Sequence, residues 1–151
     1  GASRAICVEM ALAGASEITV VNISEDGQML VDMLNRHTPT NASFVLWDHL
    51  FSIPADTDMV INATSVGLYP NVEQRLNINA DTLKPHMVVA DCIPNPAYTH
   101  FVKDAISKGC QHVLPGMNML VNQAVIAVKY WTGSDVDADV MQQELTRVLG
   151  I

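Results

Sequence analysis

Residues 87–114, MVVADCIPNPAYTHFVKDAISKGCQHVL, decide the fold. The stretch opens with a short apolar run at residues 87–91 and closes with another at residues 112–114. A strand, a helix and a second strand in this order form a βαβ unit, and such units build parallel sheets. Between the two runs, apolar residues recur at the spacing of a helix, at Tyr98, Phe101, Val102, Ala105 and Ile106.

Turn-forming residues mark both ends of this predicted helix. Asn95 is typical of an N-cap, and Pro96 suits the first helical position, where its missing N–H does no harm. Gly109 follows the last apolar residue and is typical of the left-handed position that ends a helix. The sequence therefore predicts a helix between Asn95 and Gly109.

The same alternation runs along the rest of the chain. A helix begins near Asp26, its predicted N-cap, and its predicted buried face consists of Met29, Leu30, Met33 and Leu34. Strands separated by helices predict one α/β domain with a doubly wound parallel sheet. The other predicted elements are helices at residues 2–13, 117–131 and 137–149 and strands at residues 17–22, 42–47 and 58–63.

The composition restricts the classes of function. The chain has 151 residues, of which 49% are hydrophobic and 16% charged, and its net charge is -8. An acidic chain lacks the basic face that nucleic-acid binding needs, and no apolar run approaches the roughly 20 residues that span a membrane. The three cysteines are isolated and the five histidines scattered. We therefore expect reduced thiols in a cytoplasmic protein, surface histidines and no metal site.

Three stretches carry motifs that bear on chemistry. The predicted strand at residues 58–63 leads into Asn-Ala-Thr-Ser, residues 62–65, which places small and hydroxyl side chains at the carboxyl edge of the sheet, where open α/β sheets bind ligands. The motifs are GASRA at residues 1–5, INATSVGL at residues 61–68, and DCIPNPAYT, GMNMLVNQA and WTG at residues 91–99, 116–124 and 131–133.

Together these motifs resemble the shikimate/quinate dehydrogenase family. The patterns of that family are GAGGASRA, INATSxGM, D-x-x-Y-x-P-x-x-T, G-x-x-M-L-x-x-Q-A and W-T-G, in this order. The resemblance implies the C-terminal NAD(P)-binding domain of such an enzyme, with a Rossmann-like fold. It also implies hydride transfer between NAD or NADP and a hydroxyl-bearing ring carbon of shikimate, quinate or a similar hydroxy acid.

The resemblance further implies which residues form the site. Gln123 matches the residue that reaches the hydroxyls of the substrate, and an amide both donates and accepts hydrogen bonds. The catalytic Lys/Asp pair of the family lies on an N-terminal substrate domain, so no catalytic residue is expected in this chain. The residues expected to bind the cofactor are Gly1, Ala2, Ser3, Asn22, Ser24, Asn62, Ala63, Thr64, Ser65, Gly67, Ile93, Gly116 and Met119.

The start of the chain is abrupt for such a fold. A dinucleotide-binding domain places a strand and a glycine-rich turn before its first helix, whereas this chain begins inside that turn, at Gly1. We therefore expect residues 1–151 to form an incomplete Rossmann-like domain that lacks the first strand and the substrate domain. Removal of a central strand leaves backbone groups unpaired, so we expect a marginally stable chain or a homo-oligomer.

Two departures from the family patterns bear on specificity. The tyrosine of D-x-x-Y-x-P is Pro94 here, which leaves open whether the substrate is shikimate, quinate or another hydroxy acid. The NADP-dependent members carry Asn-Arg-Thr after the second strand, whereas this chain has Ile23 in place of the arginine, followed by Glu25 and Asp26. A carboxylate there repels a 2′-phosphate and accepts hydrogen bonds from a free ribose diol, which favours NAD.

Two other classes of function remain open at this stage. One is a non-catalytic nucleotide-binding module, and the other is a structural α/β domain without a ligand. A tetrahydrofolate or amino-acid dehydrogenase with a similar domain is disfavoured by Gln123 and by the WTG motif at residues 131–133. In the enzyme interpretation, the 151-residue chain alone is expected to be inactive.

Overall fold

The computed structural model describes residues 1–150. Within them the strand pairs are all parallel, which confirms the predicted α/β fold. The chain divides into two compact units, residues 1–51 and residues 52 onward. The helices are α1 (Ala2–Leu12), α2 (Asp26–His37), α3 (His100–Ser107), α4 (Gly116–Thr132) and α5 (Ala138–Leu149). The strands are β1 (Glu17–Asn22), β2 (Asn41–Leu46), β3 (Met59–Asn62), β4 (Val88–Asp91) and β5 (His112–Leu114).

In the first unit, two helices pack with a two-stranded sheet in which β1 pairs with β2. The prediction that Met29 belongs to the buried face of α2 is wrong, because Met29 is 65% exposed. Val31 is buried in its place. The buried face is rotated because α2 contacts both strands of the sheet. The core of this unit consists of Ala11, Val20, Leu30, Val31, Leu34 and Ala42.

The start of α2 also differs from the prediction. Asp26 is the first residue of the helix, and Glu25 holds the N-cap position in a helical conformation without a side-chain bond. The carboxylate of Asp26 instead accepts a hydrogen bond from the Ser24 hydroxyl at 3.3 Å. The predicted N-cap role of Asp26 is therefore wrong, because helical backbone geometry extends one residue upstream of it.

Asn35 fastens α2 to the beginning of β2. Its Nδ2 donates to the Ala42 carbonyl oxygen at 2.9 Å, and its Oδ1 accepts from the Ala42 N–H at 2.8 Å. Both polar atoms of this exposed amide thus bind one residue of backbone. These two hydrogen bonds fix the position of α2 relative to the first residues of β2.

In the second unit, β4 is the middle strand of a parallel sheet with the order β3–β4–β5. Helix α3 contacts β4 and β5. Its residues Phe101, Val102 and Ala105 are buried, and Val89 on β4 is fully buried. This layer of helix on sheet supports β4, whose carboxyl end lies beside that of β3.

The beginning of α3 lies later than the sequence predicts. The N-cap is Thr99, whose hydroxyl accepts a hydrogen bond from the Val102 N–H at 3.2 Å, so the predicted Asn95 cap and Pro96 first position are wrong. The Asn95 carbonyl oxygen instead accepts from the Tyr69 N–H at 3.0 Å, which binds this segment to the neighbouring loop. The predicted end at Gly109 is confirmed by its positive φ of 78°.

The two last helices pack against each other. Asp137 caps α5 by accepting hydrogen bonds from the Asp139 and Val140 N–H groups, and Gly133 ends α4 with a left-handed backbone. Within residues 1–150, no helix is both long and apolar enough to cross a membrane. In the same residues, no three side chains of metal-ligating type are grouped to hold an ion.

Candidate functional site

The ends of β3 and β4 lie side by side in the second unit. Asn62 ends β3 and Asp91 ends β4, and the two residues are partners in the register of these strands. Both are only 3% exposed. From here the chain enters two loops at the carboxyl edge of the sheet, where open α/β sheets bind ligands. This edge is the candidate site of the unit.

The Asp91 carboxylate connects three segments at this edge. Its Oδ1 accepts hydrogen bonds from Asn62 Nδ2 at 3.0 Å and from the Ile93 N–H at 2.9 Å. Its Oδ2 accepts one from the Thr99 hydroxyl at 2.6 Å. One buried carboxylate thus binds the end of β3, the loop after β4 and the start of α3.

Asn62 extends the connection into the loop after β3. Its Oδ1 accepts hydrogen bonds from the Thr64 N–H at 3.0 Å and from the Thr64 hydroxyl at 2.7 Å. The Thr64 oxygen accepts in turn from the Val66 N–H at 3.0 Å. Both polar atoms of the Asn62 amide are therefore used inside the protein. The loop that they shape reaches Gly67, whose φ of 92° favours glycine.

The start of α4 lies directly against the backbone that follows β4. A Cβ on Gly116 would lie 2.3 Å from the Ile93 carbonyl oxygen and 2.7 Å from the Cys92 carbonyl carbon. Backbone atoms cannot yield by the required amount without displacing the strand, so glycine is required. The contact fixes the first turn of α4 against Ile93, the residue whose N–H binds Asp91.

Burial determines the electrostatics of this edge. Desolvation raises the pKa of the Asp91 carboxyl, and the hydrogen bonds from Thr99, Ile93 and Asn62 oppose that rise. Desolvation also raises the pKa of the Cys92 thiol, and the neighbouring Asp91 charge adds to the effect. The thiol is therefore protonated at neutral pH and is a poor nucleophile.

Helix α4 presents two of the predicted ligand residues. Met119 and Gln123 are one helical turn apart, so they lie on the same face, and both are exposed. Ser65, in the loop after β3, is also exposed, whereas Ala63 and Thr64 are half-buried. The predicted ligand residues of this unit thus include both accessible groups and groups held in the buried network.

The other predicted cofactor residues belong to the first unit. At the end of β1, Asn22 Nδ2 donates to the Ser24 hydroxyl at 3.3 Å, and Asn22 Oδ1 accepts from the Ile23 N–H at 3.0 Å. The Ile23 side chain is 79% exposed, and the acidic start of α2 follows. These residues lie at the start of α1 or at the end of β1 and just after it, and they are Gly1, Ala2, Ser3, Asn22 and Ser24.

Comparison with known proteins links this geometry to a family. Residues 116–146 match the family model described as the Shikimate 5'-dehydrogenase C-terminal domain. The shikimate dehydrogenase (NADP(+)) of Methanococcus aeolicus is 33% identical over 150 residues, which cover 99% of this chain and 52% of that protein. The chain is related to the shikimate dehydrogenases. It spans about half the length of the curated relatives that it matches.

Solved structures of related enzymes share the fold. The ligand-free 5-ketofructose reductase of Gluconobacter sp. strain CHM43 is 43% identical with a TM-score of 0.91, over 98% of this chain and 53% of that one. Shikimate 5-dehydrogenase from Listeria monocytogenes, in complex with shikimate and NAD, is 29% identical with a TM-score of 0.84. That match covers 96% of this chain and 52% of the other. The chain therefore has the fold of the C-terminal, Rossmann-like domain of shikimate dehydrogenases.

Two residues of the site were not predicted as functional from the sequence. Asp91 and Thr99 are the first and last residues of the motif at 91–99, but neither was assigned to the ligand site. A signal for Asp91 was present, since a carboxylate at the end of a buried strand needs partners. The central place of Asp91 in the network depends on the register between β3 and β4, which the motif does not contain.

Proposed function

We propose that this chain is the cofactor-binding half of an NAD(P)-dependent oxidoreductase that interconverts a ring hydroxyl and a ketone. The proposed substrates are shikimate, quinate or a similar hydroxy acid. The observation that carries the proposal is the carboxyl edge of the second unit. There the network of Asn62, Asp91 and Thr64 lies next to Ile93, against which Gly116 begins α4, in a chain related to shikimate dehydrogenases. The missing partner in this proposal is an N-terminal substrate domain.

The residues of this edge fit a nicotinamide dinucleotide. Gly116 brings the first turn of α4 close to the loop after β4, and Gly67 allows the positive φ of the loop after β3. When bound, the nicotinamide supplies the hydride donor or acceptor. Ser65 and Thr64 offer hydroxyls for hydrogen bonds, and Met119 offers an apolar surface on α4. Gln123, one turn further along, is proposed to orient the hydroxyls of the substrate.

Oxidation of the substrate hydroxyl requires a base that accepts its proton. In our proposal this chain does not supply that base. Among the described lysines, Lys108 pairs with Asp81 and Lys129 pairs with Asp135, both at the surface. We therefore assign the base to the substrate domain. The 151-residue chain alone is expected to bind cofactor weakly and to show no turnover.

We favour NAD over NADP as the cofactor. Ile23 follows β1 where the NADP-dependent members of the family have an arginine, and the acidic residues Glu25 and Asp26 come next. At close range, a carboxylate repels a 2′-phosphate by about 1 kcal/mol or more, depending on solvation. The M. aeolicus relative is named as NADP(+)-dependent, whereas the L. monocytogenes structure contains NAD.

A second candidate substrate class is a polyhydroxylated ketose. It is favoured by the 43% identity to 5-ketofructose reductase, compared with 33% to the M. aeolicus shikimate dehydrogenase. It is also consistent with Pro94, which removes the phenol of the family motif from the loop after β4. In this alternative the same residues bind the cofactor, and Gln123 contacts ketose hydroxyls instead of those of a cyclic acid.

The decisive experiment is an assay of the full-length gene product with both cofactors. Oxidation of shikimate and quinate by NAD and NADP, and reduction of 5-ketofructose by NADH and NADPH, are followed through the absorbance of the reduced nicotinamide. Turnover of shikimate or quinate supports the first proposal, and turnover of 5-ketofructose alone supports the second. Dinucleotide binding without turnover of any of the three points to a non-catalytic module. Absence of dinucleotide binding points to a structural domain.

A further inference from the structure

Asp91 is only 3% exposed, and two of the groups that it binds, Asn62 and Ile93, border proposed ligand residues. Asn62 holds Thr64 through two hydrogen bonds. Ile93 carries the carbonyl group against which Gly116 begins α4. Within residues 1–150, no buried side-chain nitrogen or oxygen lacks a partner, so the network is complete without any ligand.

We propose that Asp91 is a positioning residue for dinucleotide binding. Through its hydrogen bonds to Asn62 and Ile93, it fixes the position of the Thr64 loop relative to the start of α4. The inference rests on the proposed function, because it assumes that these two segments bind the cofactor. The inference also means that Asn62 does not contact the cofactor directly, since both polar atoms of its amide are already bonded to Asp91 and Thr64.

A carboxylate is needed here because it faces only donors. Its two oxygens accept hydrogen bonds from an amide N–H, a backbone N–H and a hydroxyl. An asparagine at this position has one acceptor and one donor group. If its oxygen keeps the bonds from Asn62 and Ile93, its NH₂ group faces the Thr99 oxygen, and the Thr99 proton loses its acceptor. The Asp91→Asn variant therefore keeps the shape of the side chain but breaks one arm of the network.

The test is fluorescence titration of the full-length gene product with NADH and with NADPH. We expect Asp91→Asn and Thr99→Val each to weaken binding of the preferred dinucleotide about tenfold, because each leaves a buried polar group without its partner. Thr99→Ser keeps the hydroxyl and is expected to bind within about twofold of the wild type. This rescue distinguishes the hydrogen bond from the volume of the side chain.

Thr82→Val is the matched control in the same unit. The Thr82 hydroxyl also makes two hydrogen bonds: it donates to the Asn79 carbonyl oxygen at 2.6 Å and accepts from the Ile53 N–H at 3.0 Å. Its loss is expected to lower the melting temperature as Thr99→Val does, while dinucleotide affinity stays within about twofold of the wild type. Circular dichroism checks that each variant is folded, and Asp91→Asn keeps the test valid if Thr99→Val does not fold.

The outcomes separate this inference from the proposed function. If the wild type binds neither NADH nor NADPH, the proposed function fails and the inference with it. If the wild type binds but Asp91→Asn and Thr99→Val bind equally well, only the inference is overturned. Equal weakening by Thr82→Val would also overturn it, since affinity would then follow general stability.

Discussion

Two asparagines, one in each unit, form hydrogen bonds inside the protein with both polar atoms of their amide, but the two sets of bonds have different roles. Asn35 binds the backbone of a single residue, Ala42, and remains exposed. Asn62 binds two side chains, Asp91 and Thr64, and is buried. The first joins a helix to a strand, and the second joins the side chains of a candidate site. The comparison teaches that the same chemistry stabilises packing in one unit and arranges the segments of a candidate ligand site in the other.

Two glycines extend this comparison and give the largest expected effect. Gly116→Ala would place a Cβ 2.3 Å from the Ile93 carbonyl oxygen, whereas in Gly27→Ala the obstacle is the Phe44 ring at 2.5 Å. A ring can rotate away, but the backbone at Cys92 and Ile93, directly after β4, cannot. We expect Gly116→Ala to lower the free energy of unfolding by about 3 kcal/mol and Gly27→Ala by about 1 kcal/mol, as measured by urea denaturation of the full-length protein. Equal losses would show that the contact with Ile93 is not rigid.

Alanine at each asparagine tests the comparison directly. Asn62→Ala removes one of the three donors to the buried Asp91 carboxylate and the acceptor of the Thr64 N–H and hydroxyl groups, so we expect a loss of about 2 kcal/mol. Asn35→Ala is expected to cost about 1 kcal/mol, because water can reach the Ala42 backbone once the exposed side chain is removed. Chemical denaturation measures both losses, and a larger loss for Asn35→Ala would reverse our ranking of the two sites.

The next prediction concerns the loop after β1 in the first unit. Ile23→Arg is expected to shift the ratio of kcat/KM for NADP over NAD by about tenfold towards NADP, or about 1.4 kcal/mol, because a guanidinium pairs with a 2′-phosphate. Ile23→Gln, which is long but neutral, is the control and is expected to leave the ratio nearly unchanged. Steady-state kinetics with the preferred substrate provides the measurement. An unchanged ratio in Ile23→Arg would mean that this loop does not contact the ribose.

The smallest effect is a dependence of stability on pH. Burial raises the pKa of the Asp91 carboxyl, so the folded protein holds this proton more tightly than the unfolded chain. The contribution of Asp91 is therefore fully present below the unfolded pKa and declines as pH rises through the folded pKa. Asp91→Asn lacks this titration. The free energy of unfolding of the wild type relative to the variant should thus decrease as the pH rises above about 4, the ordinary pKa of an aspartate, and an increase would contradict the raised pKa.

Much of the fold follows from periodicity in the sequence. The strands at residues 17–22 and 112–114 have their predicted bounds, and the βαβ unit at residues 87–114 is confirmed. The errors occur where local preference and tertiary contact disagree. Asn95 and Pro96 have the composition of a helix start, but Thr99 takes that role because its hydroxyl also binds the buried Asp91.

The candidate site was predictable in outline only. The motif at residues 61–68 and the glycine at position 116 mark the segments that meet at the carboxyl edge. The connection between them was not predictable, because it depends on which residue of β3 lies beside Asp91. The direct binding of cofactor by Gly1, Ser24, Thr64 and the other assigned residues stays a prediction. The same holds for the substrate role of Gln123 and for a homo-oligomer.

The pairing of Asn62 with Asp91 has a consequence for folding as well as for binding. A shift of β3 by one residue along β4 would bring Ile61 beside the carboxylate and would turn the amide to the opposite face. Asp91 would then be buried without its amide donor, whereas the apolar residues of both strands could still be covered. The hydrophobic residues of this sheet tolerate such a misalignment more readily than the polar pair does. The hydrogen bond between Asn62 and Asp91 therefore favours the native register of β3 and β4 over a register shifted by one residue.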